Sequence, residues 1–186
     1  LFPSPKHFEF FLKTFTDMKK VSDYWIAAQE RINLLNNGPS FIKTHSALCT
    51  LENNSFTNKN NTKAVIYVVR DPRNLITSFS HHFSMNVEES YNFIINKKKM
   101  LTENEWGGKN FGITSVLGNW AEHYKSWQNI KFAPILTVKY EDLIDNTERE
   151  FKKILTYLKK IMDIKINEKK ILNTINSCSF KKLAEK

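Results

Sequence analysis

The sequence predicts an α/β domain in three layers, with helices flanking a parallel β-sheet, and three observations carry that expectation. Residues 64–69, Ala-Val-Ile-Tyr-Val-Val, form a continuous apolar run rich in β-branched side chains, the pattern of a strand buried on both faces in a parallel sheet. Asp71-Pro72 follows almost at once, a good N-cap before a good first helical residue, and Leu75, Ile76, Phe79 and Phe83 then recur at helical spacing. A second strand-like run, residues 134–140, comes after a further helical stretch, so α and β elements alternate as parallel sheets require.

The elements read in order as follows. Ser4 can cap a first helix, Pro5 suits its first position, and Phe8, Phe11, Leu12, Phe15 and Met18 lie three and four residues apart. A second helix is expected over residues 22–36, with Trp25, Ala28, Ile32 and Leu35 on one face and Gly38 as its stop. Residues 39–45 read as a short extended segment and 51–63 as a polar loop without periodicity. Beyond the strand at 64–69 and its helix, another helix is expected around 118–127, then the strand 134–140. Thr147 with Glu150 makes a capping box for a helix reaching about residue 160. A last helix over 167–177 should turn Ile171, Leu172 and Ile175 inward. No repeat and no domain boundary stands out, so residues 1–186 read as one domain.

Composition narrows the class. The 186 residues carry 28 Lys plus Arg against 19 Asp plus Glu, a net charge of +9, with two Cys, five Gly and 41% apolar residues. Low Gly and Pro, few Cys and 13% aromatic content exclude collagen-like, disulfide-rich and fully disordered chains. The longest strongly apolar run is six residues, against the roughly 20 a bilayer-spanning helix needs. Residues 151–186 hold ten Lys and three acids. Such a tail suits an anionic ligand or surface, but the chain is Lys- and Asn-rich throughout, and a solvated helix face accounts for the charge more simply. Cys49 and Cys178 are far apart without metal-ligand spacing, so neither zinc nor a disulfide is expected, and reduced thiols in a cytoplasmic protein are the default. Asn53 and Asn60 open glycosylation sequons that matter only in a secreted protein. The chain opens on Leu1 rather than Met, which suggests an N-terminus that is not the native one.

Three positions collect polar groups a core would not choose: Lys43-Thr44-His45, residues 70–78 from Arg70 to Ser78, and Tyr140-Glu141-Asp142. Loops at strand ends can converge into a basic, His-containing cleft. A lone His after a strand is more often structural than catalytic, and spacing alone assigns it no role.

Taken in order, Lys43-Thr44-His45, the segment from Val65 through Arg70-Asp-Pro-Arg-Asn-Leu-Ile-Thr-Ser78 to Phe83, Gly118-Asn-Trp120-Ala-Glu-His123-Tyr-Lys-Ser-Trp127, Val138-Lys-Tyr140-Glu-Asp-Leu143 and Cys178-Ser-Phe180 resemble the cytosolic-type sulfotransferases. The chain reads as a bacterial-like member. That family uses 3′-phosphoadenosine 5′-phosphosulfate (PAPS) as donor, on a P-loop-like parallel sheet flanked by helices. The resemblance implies that Arg70 and Ser78 hold the donor's 3′-phosphate. A permanently charged, forked guanidinium suits that group, and a hydroxyl on a helix adds a directed hydrogen bond. It implies His45 as the general base that takes the proton of a hydroxyl or amine acceptor, and Lys43 beside it as a group steadying the sulfonate or the acceptor oxygen. A solvated Lys43 is equally consistent with the residues themselves. Tyr140 matches a tyrosine bordering the adenine. Cys178 stands where the family usually has Thr, which weakens a hydroxyl contact there, while Phe180 is retained. Trp120, His123 and Trp127 match a helix near the acceptor side and read equally well as packing residues.

Two family motifs are not found. Phe2-Pro3-Ser4-Pro5-Lys6 has no Gly after its Lys and is not the Pro-Lys-Ser-Gly-Thr-Thr-Trp loop that holds the 5′-phosphosulfate. The C-terminal Arg-Lys-Gly segment does not appear before Lys186. The chain is therefore expected to be a sulfotransferase domain truncated at both ends, acting on a small-molecule or glycan acceptor, with no metal, no nucleic-acid partner and no membrane span. A non-catalytic anion- or nucleic-acid-binding module and an inactive sulfotransferase remnant are the alternatives. A P-loop kinase-like transferase is disfavoured because no Gly-x-x-x-x-Gly-Lys-Ser/Thr occurs.

Overall fold

A computed structural model of the chain describes residues 1–15, 17–36, 39–102 and 114–178. In chain order the elements are a 3-10 turn at Pro5–His7, α1 (Met18–Ser22), α2 (Trp25–Leu35), β1 (Thr50–Leu51), β2 (Asn54–Ser55), β3 (Val65–Val69) and α3 (Pro72–His82). They continue as α4 (Val87–Ile95), β4 (Met100–Thr102), β5 (Thr114–Val116), α5 (Trp120–Gln128), β6 (Ile135–Lys139), α6 (Tyr140–Asp145), α7 (Thr147–Lys159) and α8 (Glu168–Ser177). Two compact units result, one of Leu1–Lys63 with Pro72–Pro134, the other of Ala64–Asp71 with Ile135–Lys186.

The first unit is built on aromatic rings. Phe2, Phe8, Trp25, Phe56 and Trp127 are all buried, with Phe56 in edge contact with Trp25 at 5.2 Å and with Trp127 at 6.4 Å. Such pairs add about 0.5–1.5 kcal/mol each beyond the area they bury. This packing corrects the first expected helix. Ser4 and Pro5 do start a helical turn, but it is a three-residue 3-10 turn, because Phe2 and Phe8 point into the core while Phe10 is 70% exposed, so the rings do not share one helix face.

α2 corrects its expected stripe as well. Trp25 and Ala28 are buried, but Leu35 is 70% exposed and Gln29 is buried in its place. Gln29 is accommodated because its Nε2 donates to the Phe56 carbonyl at 2.6 Å and its Oε1 accepts from the Thr57 hydroxyl at 2.6 Å. The expected polar loop 51–63 therefore contains core: the β1–β2 hairpin is antiparallel and delivers Phe56 and Thr57 to α2. The stop expected at Gly38 lies outside the described residues.

Elsewhere in this unit Ile76, Phe79 and Phe83 of the α3 segment pack against Phe93, Ile94 and Leu101, as their helical spacing predicts. α4 was not expected. Its signal is a capping box in which Asn86 Oδ1 accepts from Glu89 N–H at 2.9 Å and Glu89 Oε2 accepts from Asn86 N–H at 2.8 Å. β4 and β5 pair antiparallel, and Gly118 turns the chain into α5 at φ +65°, a conformation a side chain would strain.

In the second unit β3 and β6 run parallel, in register from Val65 opposite Ile135 to Val69 opposite Lys139. The parallel pairing is as expected. Burial on both faces is not, since Val68 is 52% exposed; among the described residues each strand has a single hydrogen-bonded neighbour. α7 packs on β6, and the Tyr157 hydroxyl donates to the Val65 carbonyl at 3.2 Å. The cap of α7 is Asn146, whose side chain accepts from Arg149 N–H. Thr147, expected in that role, instead donates its hydroxyl to the Leu143 carbonyl at 2.8 Å. Lys152 joins α7 to α8 by pairing with Glu148 at 2.9 Å and Glu168 at 2.8 Å. On α8 Ile171 is buried, but Leu172 is 45% exposed rather than inward, because it lies about 100° around the helix from Ile171. Among the described residues no helix is long and apolar enough to cross a membrane.

Candidate functional site

The parallel register determines what meets at the strand ends of the second unit. Val69 and Lys139 are the last paired residues, so the residue after each emerges at the same level, as ligand-bearing strand ends do in α/β sheets. Those residues are Arg70 and Tyr140. The Arg70 guanidinium carbon lies 4.6 Å from the centre of the Tyr140 ring, an attraction of about 0.5–2 kcal/mol. Tyr140 is the first residue of α6, which corrects its expected place in the strand. The next residue of that helix completes the junction: Glu141 Oε1 accepts the Asp71 N–H at 3.2 Å.

Arg70 Nε is buried and, among the described residues, has no hydrogen-bond partner. A buried N–H of a charged group is costly unless an acceptor meets it. A ring-stacked guanidinium with an unsatisfied inner N–H is therefore chemically suited to an anionic oxygen.

In the first unit Lys43 and His45 lie on residues 39–47, which belong to no helix or strand. The segment expected to be extended is part of no sheet, and several of its backbone groups are bonded by other parts of the unit. Phe2 N–H donates to the Lys43 carbonyl at 2.8 Å and Ala47 N–H to the Val116 carbonyl at 2.7 Å. His123 Nε2 meets the His45 carbonyl at 3.1 Å, Trp127 Nε1 donates to the Ser46 carbonyl at 3.0 Å, and Leu48 N–H donates to Ser126 Oγ at 3.0 Å. Lys43 is exposed and His45 half-buried. His45 is held below the ordinary imidazole value of 6.5 chiefly by burial, then by the positive charge of Lys43 and by His123. The direction favours the neutral imidazole at neutral pH. Burial also lowers His123, partly offset by its bond to the His45 carbonyl.

The remaining expected residues are placed singly. Ser78 is half-buried on α3, and Cys178 is the exposed C-cap of α8; Phe180 lies outside the described residues. Arg70 with Tyr140, and Lys43 with His45, are the groupings the structure shows. Sequence reasoning missed what His123, Ser126 and Trp127 do. Their i, i+3, i+4 spacing was visible, but only the fold shows which backbone they face.

Comparison with known proteins settles the family. Residues 9–186 match the family described as "Sulfotransferase domain". The chain belongs to this sulfotransferase family. It is 29% identical to Sulfotransferase 1A1 of Rattus norvegicus over 151 residues, 79% of this chain and 46% of that protein. It is 30% identical to Sulfotransferase 1A1 of Mus musculus over the same shares, and 29% identical to Sulfotransferase 1B1 of Mus musculus over 83% of this chain and 48% of that one. The sulfotransferase chain thus spans about half the length of the curated relatives it matches. Among solved structures, mouse sulfotransferase SULT7A1 complexed with PAP superposes with a TM-score of 0.50 at 21% identity, covering 69% of this chain and 42% of that one. This agreement bears out the α/β sulfotransferase fold.

Proposed function

We propose that the protein transfers a sulfonate group from PAPS to a hydroxyl or amine acceptor, with His45 as general base. The observation that carries this reading is the Arg70–Tyr140 pair, a guanidinium over a ring at parallel strand ends whose buried Nε–H has no partner among the described residues, in a chain of the sulfotransferase family. The donor, when bound, supplies an electrophilic sulfur on a phosphate leaving group. Arg70 binds the 3′-phosphate by charge-assisted hydrogen bonds, Ser78 adds a hydroxyl donor from α3, and Tyr140 and Cys178 border the adenine. His45 accepts the acceptor's proton as its oxygen or nitrogen bonds to sulfur and the sulfur–phosphate oxygen bond breaks. Lys43 balances negative charge on the transferring group. No residue of this chain is assigned to the 5′ side of the donor. A PAP complex of the mouse relative supports a nucleotide site on this fold. The compartment proposed is the cytoplasm, and the acceptor is a small molecule or glycan. The test is transfer of labelled sulfonate from PAPS to a panel of phenols, sterols and sugars by the full protein. Label on one acceptor class supports the proposal. A protein that neither transfers label nor binds 3′,5′-adenosine bisphosphate contradicts it.

A further inference from the structure

Each of residues 45–48 has a backbone group tied to another part of the first unit, and three of the four anchors are side chains of α5: His123 on the His45 carbonyl, Trp127 on the Ser46 carbonyl and Ser126 on the Leu48 N–H. Spacings of three and four residues put these anchors on one helix face. The fourth is the Val116 carbonyl, which takes the Ala47 N–H. Ser46 is 0% exposed and Ala47 7%, so a segment outside any sheet could not leave these groups to water. The roles are fixed by chemistry. A carbonyl only accepts, so His123 carries its proton on Nε2. The Ser126 hydroxyl donates to the His123 carbonyl at 2.7 Å, which leaves its oxygen to accept from Leu48. Trp127 is rooted among the core rings, 6.4 Å from Phe56.

We propose that α5 is a clamp on the base-bearing segment and that His123 is the positioning residue for His45, holding it through the Nε2–H to carbonyl bond. This inference rests on the reading of His45 as the base. A general base has to stay within hydrogen-bond reach of the acceptor proton. With its carbonyl pinned, His45 can move its imidazole only about its own side-chain torsions. His123 does not take the acceptor's proton.

The test compares three substitutions in the full protein. His123→Gln keeps an N–H donor near the Nε2 position, His123→Asn places it too short, and His123→Leu removes it. With displacement of a reacting group by about 1 Å worth about 100-fold, the Leu and Asn variants should lose about 10- to 100-fold in kcat with KM for PAPS unchanged, and Gln should recover to within about threefold of wild type. Equal rates in wild type and His123→Leu overturn the clamp, as does failure of Gln to rescue. If wild type transfers nothing, the functional reading fails and the clamp is judged by nitrogen NMR of labelled histidine rings. The expected result is the Nε2–H tautomer for His123, and one His45 signal in wild type and His123→Gln that becomes heterogeneous in His123→Leu. An Nδ1–H tautomer for His123, or an unaltered His45 signal in His123→Leu, overturns it.

Discussion

The Arg70 guanidinium stacks on the Tyr140 ring at 4.6 Å, and the parallel register that pairs Val69 with Lys139 sets the two side by side. The ring faces a cation whose inner N–H has no partner among the described residues.

If the ring's role is to hold the guanidinium, Tyr140→Phe should bind 3′,5′-adenosine bisphosphate nearly as well as wild type, while Tyr140→Leu loses about 1–2 kcal/mol, a five- to thirtyfold weaker Kd. Calorimetric titration checks this. Equal losses for Phe and Leu would assign the contribution to the hydroxyl instead.

The histidines set a pH dependence. Burial is the first cause of the lowered values of His45, His123 and His7, and Lys6 adds to it at His7, which falls to about 4. His7 Nδ1 accepts the Ser4 N–H at 3.2 Å, so protonation there costs a hydrogen bond. Between 6.5 and each lowered value the unfolded chain binds a proton that the folded chain does not. Stability therefore rises with pH across that window and is lost as pH falls through 6.5. Denaturant midpoints should fall from pH 7 to 5. The acid limb of kcat/KM, which reports the free enzyme's base, should lie below 6.5. A limb above 6.5 would place the essential base elsewhere.

The cysteines should differ in reactivity. Burial raises Cys49 to about 11, whereas Cys178 is exposed. Iodoacetamide at pH 8 should modify Cys178 first, and mass spectrometry of the peptides checks it. If Cys178 borders the adenine as proposed, Cys178→Thr should add a hydroxyl contact of about 1 kcal/mol, some fivefold tighter bisphosphate binding. Protection of Cys178 from alkylation by the bisphosphate should accompany that gain.

What the sequence disclosed followed from local chemistry. β3 and β6 were legible because continuous β-branched runs have few other uses, and α3 because Asp71-Pro72 precedes spaced apolar residues. The pairs that depend on tertiary partners were not. Gln29 lies outside the stripe of Trp25, Ala28, Ile32 and Leu35, and only the fold supplies its partners Phe56 and Thr57; the first Phe-rich segment reads as helical because spacing does not show that Phe10 stays outside. His45, Arg70 and Tyr140 could be named from motif order. Their surroundings, the ring under Arg70 and the helix behind His45, are properties of register and packing that no single segment encodes.

The central claim is that donor binding and proton abstraction reside in different residues. Bisphosphate affinity and sulfonate transfer measured together on Arg70→Ala and His45→Ala test it most directly. Arg70→Ala should weaken bisphosphate binding by at least about tenfold, the loss of charge-assisted hydrogen bonds to phosphate, and His45→Ala should bind it like wild type while transfer is abolished. Undiminished binding by Arg70→Ala, or substantial transfer by His45→Ala, would contradict the account.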